Sequence, residues 1–171
     1  MSKKALRKYI KELSKNELEE QVLELYDRLK EVREFYTFVF NPKEDKMLDE
    51  AKFKVSKEYF PTGRRKAKRR RSIAHKFIKE FIKLGVEGEK IAELMVFNIE
   101  VAQTYTADRP INQDAFYKSM LKSFKEAIAF IDENGFQTVF DHRLERIVAI
   151  ALEQEWINQY AFEEALLSRL R

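Results

Sequence analysis

Seven of the eight positions from Arg64 to Arg71 are cationic: Arg64, Arg65, Lys66, Lys68, Arg69, Arg70 and Arg71. Ser72 follows directly, and His75 lies one helical turn beyond Arg71. Side chains of this kind recognise anions, because a guanidinium fork matches the oxygens of phosphate or carboxylate and an ammonium acts as a compact point charge. The chain holds 33 Lys and Arg against 29 Asp and Glu; without these seven cations the remainder is 26 against 29. The basicity is therefore local, and the whole segment 62–72 reads as a connection between helices.

Different partners fit such a run. Nucleic acid supplies many phosphates, and seven cations displacing counterions would give affinity that falls steeply with salt and reads little base sequence. Tyr59 and Phe60, just upstream, are candidates to stack on bases. An acidic protein surface is a second partner. The chain's own carboxylates are a third, with Glu93, Glu100, Asp132, Glu133, Glu153, Glu155, Glu163 and Glu164 available, in which case the arginines are architecture. The expectation carried forward is a non-catalytic binding module that holds a polyanion, nucleic acid first. Its site residues are the seven cations with Ser72 and His75. The alternative is a helical protein–protein scaffold whose arginines its own carboxylates neutralise.

Other chemistry finds few residues to do it. His75 and His142 stand 67 positions apart and neither has a metal-binding spacing. His142 falls opposite the apolar face of its helix and is expected in solvent. His75 sits among cations that lower its pKa, which suits a structural role better than a metal. There is no phosphate-binding loop, dinucleotide-binding glycine motif, calcium loop or serine elbow. Zero cysteines remove disulfides, thiolate nucleophiles and cysteine-ligated metals. Glu93 and Glu100 share a helical face, yet an enzyme would need a pocket where they meet His75 or Asn98. No catalytic residue, metal or cofactor is assigned.

The elements that must position these residues are helices. Four glycines and three prolines punctuate apolar-periodic segments, and no strand pattern competes. The periodicity predicts about eight helices in a single domain spanning residues 1–171, as one irregular bundle or a stacked array of helical hairpins. The first helix covers about 2–12. Ser14 and Glu17 form a capping box that opens a long helix to about Tyr36, with Leu18, Val22, Leu25, Leu29, Val32 and Tyr36 as its buried stripe. Asn41 and Pro42 start a third helix, ending near Tyr59. Ser72 caps a fourth that runs to Leu84. The fifth, about 89–105, is apolar around most of its circumference and must be central, with Asn98 partly buried. Asn112 caps an amphipathic sixth that Gly135 closes; a seventh covers 136–155, and Asn158 caps the last.

At 171 residues with 44% hydrophobic residues there is material for one core, while 36% charged residues and a mean hydropathy of −0.53 speak against a membrane protein. MSKKALRKYIKEL interleaves charge with apolar residues, so no secretory signal is expected and the cytoplasm is the expected compartment. Four segments, FYTFVFNPKED, KEYFPTGRRKAKRRRS, IAELMVFNIEVAQTY and RPINQDAFYKSMLKSF, resemble those of an uncharacterised bacterial family of all-helical proteins, over residues 18 to about 150. That resemblance implies a helical cytoplasmic protein with the basic segment between helices. It carries over no activity and no site residues.

Overall fold

The computed structural model of the chain describes residues 2–170. Among them the fold is all-α, with nine helices: α1 (Lys3–Glu12), α2 (Lys15–Arg28), α3 (Lys30–Phe40), α4 (Glu44–Tyr59), α5 (Arg71–Leu84), α6 (Gly88–Asp108), α7 (Asp114–Asn134), α8 (Gln137–Glu153) and α9 (Gln159–Leu167). A 3-10 turn, Ser168–Leu170, follows α9. Two compact units divide the chain, Met1–Lys43 and Glu44–Arg171.

In the first unit the capping box forms as expected. The Ser14 N–H donates to the Glu17 carboxylate at 2.8 Å and the Glu17 N–H donates to Ser14 Oγ at 3.3 Å. The expected long helix, however, breaks at Leu29, whose extended backbone (φ −115°, ψ 116°) ends α2 and starts α3. Arg33 donates to the backbone carbonyl of Asp27 at 3.0 Å, satisfying an acceptor that the break sets free. The break also lets the rings of Tyr26 and Tyr36 meet at 6.5 Å, where a continuous helix would hold residues ten apart roughly 15 Å away. The expected buried stripe is not buried. Leu18, Leu25 and Leu29 are exposed, Val22, Val32 and Tyr36 are half-buried, and no residue of α1, α2 or α3 is buried. Asn41 terminates α3 and does not cap the next helix, which begins at Glu44.

The second unit is built around α6. Ile91, Leu94, Val96, Ile99 and Ala102 are all buried on it, and so are Asn98 and Gln103. A helix with so little solvated face has to be enclosed, and α4, α5, α7 and α8 pack against it. Buried Gln103 donates to the backbone carbonyl of Ile147 on α8 at 2.7 Å, which meets half the demand of an amide placed in the core. Phe116, Tyr117, Phe124, Trp156 and Phe162 form an aromatic cluster whose successive rings lie 5.1 to 6.1 Å apart, mostly edge to face. It joins α7 to α9 and to the turn before it.

Several expected helix ends move. Gly135 closes α7 in the left-handed conformation (φ 74°) as expected, where a Cβ would be strained. Asn112 is not the cap of that helix; Gln113 precedes its first residue, without a side-chain cap bond. Asn158 precedes α9, but its amide is drawn away to donate to the Tyr117 carbonyl at 2.9 Å. Ser72 lies inside the first turn of α5, and Arg70 occupies the cap position.

Because Leu94 is wholly enclosed, Leu94→Ala is expected to lower unfolding free energy by about 2–5 kcal/mol. Denaturant titration followed by circular dichroism would measure it, and a loss under about 1 kcal/mol would contradict the central placement of α6.

Candidate polyanion-binding groove

The basic segment leaves α4 at Tyr59, turns through Gly63 (φ 71°) and enters α5 at Arg71. One residue ties it down. The main-chain carbonyl of Glu58 accepts the N–H groups of both Lys68 and Arg69, each at 2.9 Å. Its carboxylate accepts a fork from Arg70, with Nε at 2.8 Å and Nη2 at 2.9 Å. The fork holds the Glu58 carboxyl below its ordinary value and raises Arg70. Arg69 sits in left-handed backbone (φ 52°), uncommon for a residue other than glycine, and that twist turns the chain into α5.

The seven cations thus separate. Arg64, Arg65, Lys66 and Lys68 are exposed, and Arg69 is half-buried. Arg70 is bound to Glu58. Arg71, only 19% exposed, points to the other side of α5, where its Nε donates to Ser123 Oγ at 2.7 Å and its Nη2 to Glu126. The carboxylates expected to neutralise the run do not do so; Glu58 and Glu126 take that place. Glu93 and Glu100 instead both grip Arg143, with Lys52 also on Glu93 at 2.5 Å. Burial opposes ionisation of Glu93, yet the hydrogen bonds from Arg143 and Lys52 outweigh it and keep the carboxyl low.

Arg65, Lys66, Lys68 and Arg70 line one open groove of about 440 Å³. Three lysines that sequence reasoning passed over complete it: Lys54 and Lys57 from α4 and Lys76 from α5. Ile73 and Phe77 supply an apolar floor, and Lys54 Nζ lies 5.3 Å from the centre of the Phe77 ring. Glu58 is the one carboxylate in the lining, and Arg70 already occupies it. A signal for the missing lysines was present: positions 54, 57, 58 and 61, like 73, 76 and 77, follow the spacing of one helical face on either side of the run. Arg64, Arg69 and Ser72 do not line this groove, although Ser72 is exposed. Tyr59 is not available for stacking, since it is 1% exposed with its ring 5.9 Å from that of Tyr105; Phe60 is 40% exposed.

His75 belongs to a separate place. With Arg71, Ser123, Glu126 and Asn98 it lines a cavity of about 10 Å³ between α5, α6 and α7. Asn98 is more deeply buried than expected, and its Oδ1 accepts no hydrogen bond among the described residues. Burial is the main reason the His75 pKa is lowered, with Arg71 and Lys79 adding to it. His142 is exposed on the rim of a wide groove of about 1120 Å³ between α6 and α8, which Glu100 also lines. The residues an active site would have required are thus distributed over two places. Among the described residues no group of three or more His, Asp or Glu is placed to hold a metal ion, and no helix is long and apolar enough to cross a membrane.

These features define an all-helical protein in which two helices and their connection form a groove lined by cations. The chain belongs to the family of unknown function DUF6155, whose profile matches residues 1–169. No curated protein and no solved structure matches it.

Glu58→Gln should free the basic segment while leaving the core intact. Tryptic cleavage within residues 64–71 is expected to become several-fold faster, with the helical signal of circular dichroism unchanged. Equal cleavage would show that the Glu58 contacts do not hold the segment. The fork also has a pH signature. A carboxyl whose folded pKa lies below its ordinary 4.5 contributes stability that is complete above about that pH and is lost as pH falls through the lowered value. For His75, lowered from 6.5, the corresponding loss begins near pH 6.5 on acidification. His75→Asn should therefore flatten thermal stability between about pH 6.5 and 5, whereas Glu58→Gln should alter it only below about 4.5.

Proposed function

We propose that the groove between α4, the basic segment and α5 binds the phosphate backbone of single-stranded nucleic acid. The observation that carries this reading is the convergence of seven cations from three chain segments on one groove whose only lining carboxylate is already paired. Like charges gathered in this way repel one another, and an incoming polyanion relieves that repulsion while releasing its own counterions. The groove has the volume of one or two nucleotides, and its width between two packed helices suits a single strand better than a duplex. Phe77 on its floor and Phe60 near its end, both partly accessible, give bases apolar surface to lie on.

A second reading, a scaffold with internally neutralised arginines, draws on Arg70 and Arg71. These two order the segment, which fits a division of labour: the end of the run nearest α5 anchors, and the remainder contacts the ligand. In this arrangement Arg71→Gln lowers stability more than affinity, and substitutions at Lys54, Lys57 and Lys76 do the reverse.

Fluorescence anisotropy with labelled single- and double-stranded oligonucleotides across a salt series tests the proposal. The wild type should prefer the single strand, and log K should fall linearly with log salt. Replacing Lys54, Lys57 and Lys76 with Gln should reduce the slope by about one for each lost phosphate contact without lowering the melting temperature appreciably. Absence of binding at low salt, or identical binding and slope in the folded triple variant, would refute the assignment.

A further inference from the structure

The unit Met1–Lys43 carries no buried residue on any of its three helices. Ten of its large apolar side chains are between 36% and 81% exposed, from Leu6 at 45% to Phe40 at 81%. With 10, 14 and 11 residues, α1, α2 and α3 are each near or below the ~12–15 residues at which an isolated helix becomes marginal in water. Only packing of an amphipathic face could hold such helices, and the packing inside the unit leaves that face open. Ten exposed side chains of this size amount to an area on the order of the ~800 Å² that each partner contributes to a standard interface.

The charges say what covers them. On α1, Lys3, Lys4, Arg7, Lys8 and Lys11 fall on one side of the helix, with Leu6, Tyr9 and Ile10 on the other. Next to it, α2 bears Glu17, Glu20, Glu24 and Asp27 on one side and Leu18, Val22, Leu25 and the adjoining Leu29 on the other. Among the described residues, no cation of α1 is ion-paired, whereas the carboxylates of α2 have only exposed partners one turn away, such as Glu24 with Arg28. An anionic bilayer would attract α1 and repel α2. A nucleic acid or an acidic protein would do the same, and a basic protein the opposite. The partner complementary to both helices at once is one that itself presents a basic and an acidic amphipathic helix.

We infer that this unit is a self-association surface, on which a second copy of the chain docks about a two-fold axis, with α1 of each copy against α2 of the other. A two-fold interface must be complementary to itself, and adjoining basic and acidic helices meet that condition reciprocally. The inference is independent of the groove between α4 and α5.

Sedimentation velocity on the full chain tests it, through charge reversal and mixing. The wild type should sediment as a dimer at about 50 µM in low salt, with the dimer dissociation constant rising at least tenfold between about 50 and 500 mM salt. One variant carries Lys4→Glu, Arg7→Glu, Lys8→Glu and Lys11→Glu; another carries Glu19→Lys, Glu20→Lys and Glu24→Lys. Each alone should be monomeric, because both of its α1–α2 contacts now join like charges, and an equimolar mixture should return to dimer, because both contacts become opposite again. Recovery on mixing also answers the objection that a variant has merely misfolded. A monomeric wild type at about 100 µM overturns the inference, and so does a variant that still dimerises alone or a pair that fails to recover on mixing. A monomeric wild type that pellets with phosphatidylserine vesicles would give α1 to a membrane instead.

Discussion

The second unit depends on the enclosure of α6. Its apolar side chains point in nearly every direction, so the neighbouring helices have little freedom except to surround it. Its two exceptions, Glu93 and Glu100, are put to use on the same principle: they face outward together and collect Arg143 from α8 and, at Glu93, Lys52 from α4. Hydrophobic enclosure and this half-buried ion cluster act on the same three helices, the first supplying most of the free energy and the second fixing how they are turned. Once α4 and α5 both lie against α6, the segment joining them has to cross from the end of one to the start of the other, and the groove is the space they leave.

Holding many like charges close together is unfavourable unless something orders them, and Glu58 does this with a single residue. Its carbonyl fixes the main chain at Lys68 and Arg69, and its carboxylate fixes the Arg70 side chain. Arg71 then enters the polar pocket shared by Ser123 and Glu126, so the end of the basic segment is pinned on two sides of α5. The exposed cations before it have no such tether among the described residues. Order increases along the segment as carboxylates become available, a direct result of where Glu58 and Glu126 stand.

Much of this fold was legible in the sequence. Scarce glycine and proline marked the connections, Ser14 and Glu17 marked the start of α2, Gly135 marked the end of α7, and the unbroken apolar surface of α6 marked the centre. Each is a local signal with a local cause. What could not be read depends on distance in space. Nothing near Leu29 announces a break, since neither glycine nor proline is there, and the gain that favours it is a contact between Tyr26 and Tyr36. The apolar stripe of α2 has the periodicity of a buried face, and periodicity alone does not say whether the covering surface belongs to the same unit. Glu58 and Glu126 could not be chosen over a dozen other carboxylates, because Glu126 is 55 residues from Arg71 in the chain. The lysines at 54, 57 and 76 were visible but unremarkable until the two helices were placed side by side.

The left-handed turn at Arg69 separates shape from charge within the basic segment. Of the cations from 64 to 71 it alone stands in backbone that glycine and asparagine adopt readily and β-branched residues resist. Substitution tolerance there should therefore follow the main chain, with a small neutral residue acceptable and valine or isoleucine disruptive although no side-chain contact is lost. At Arg65 or Lys66, in the exposed stretch before it, tolerance should follow electrical sign and ignore shape. One short stretch of similar residues thus obeys two different rules of replacement, and a comparison of related chains that averaged over it would see neither.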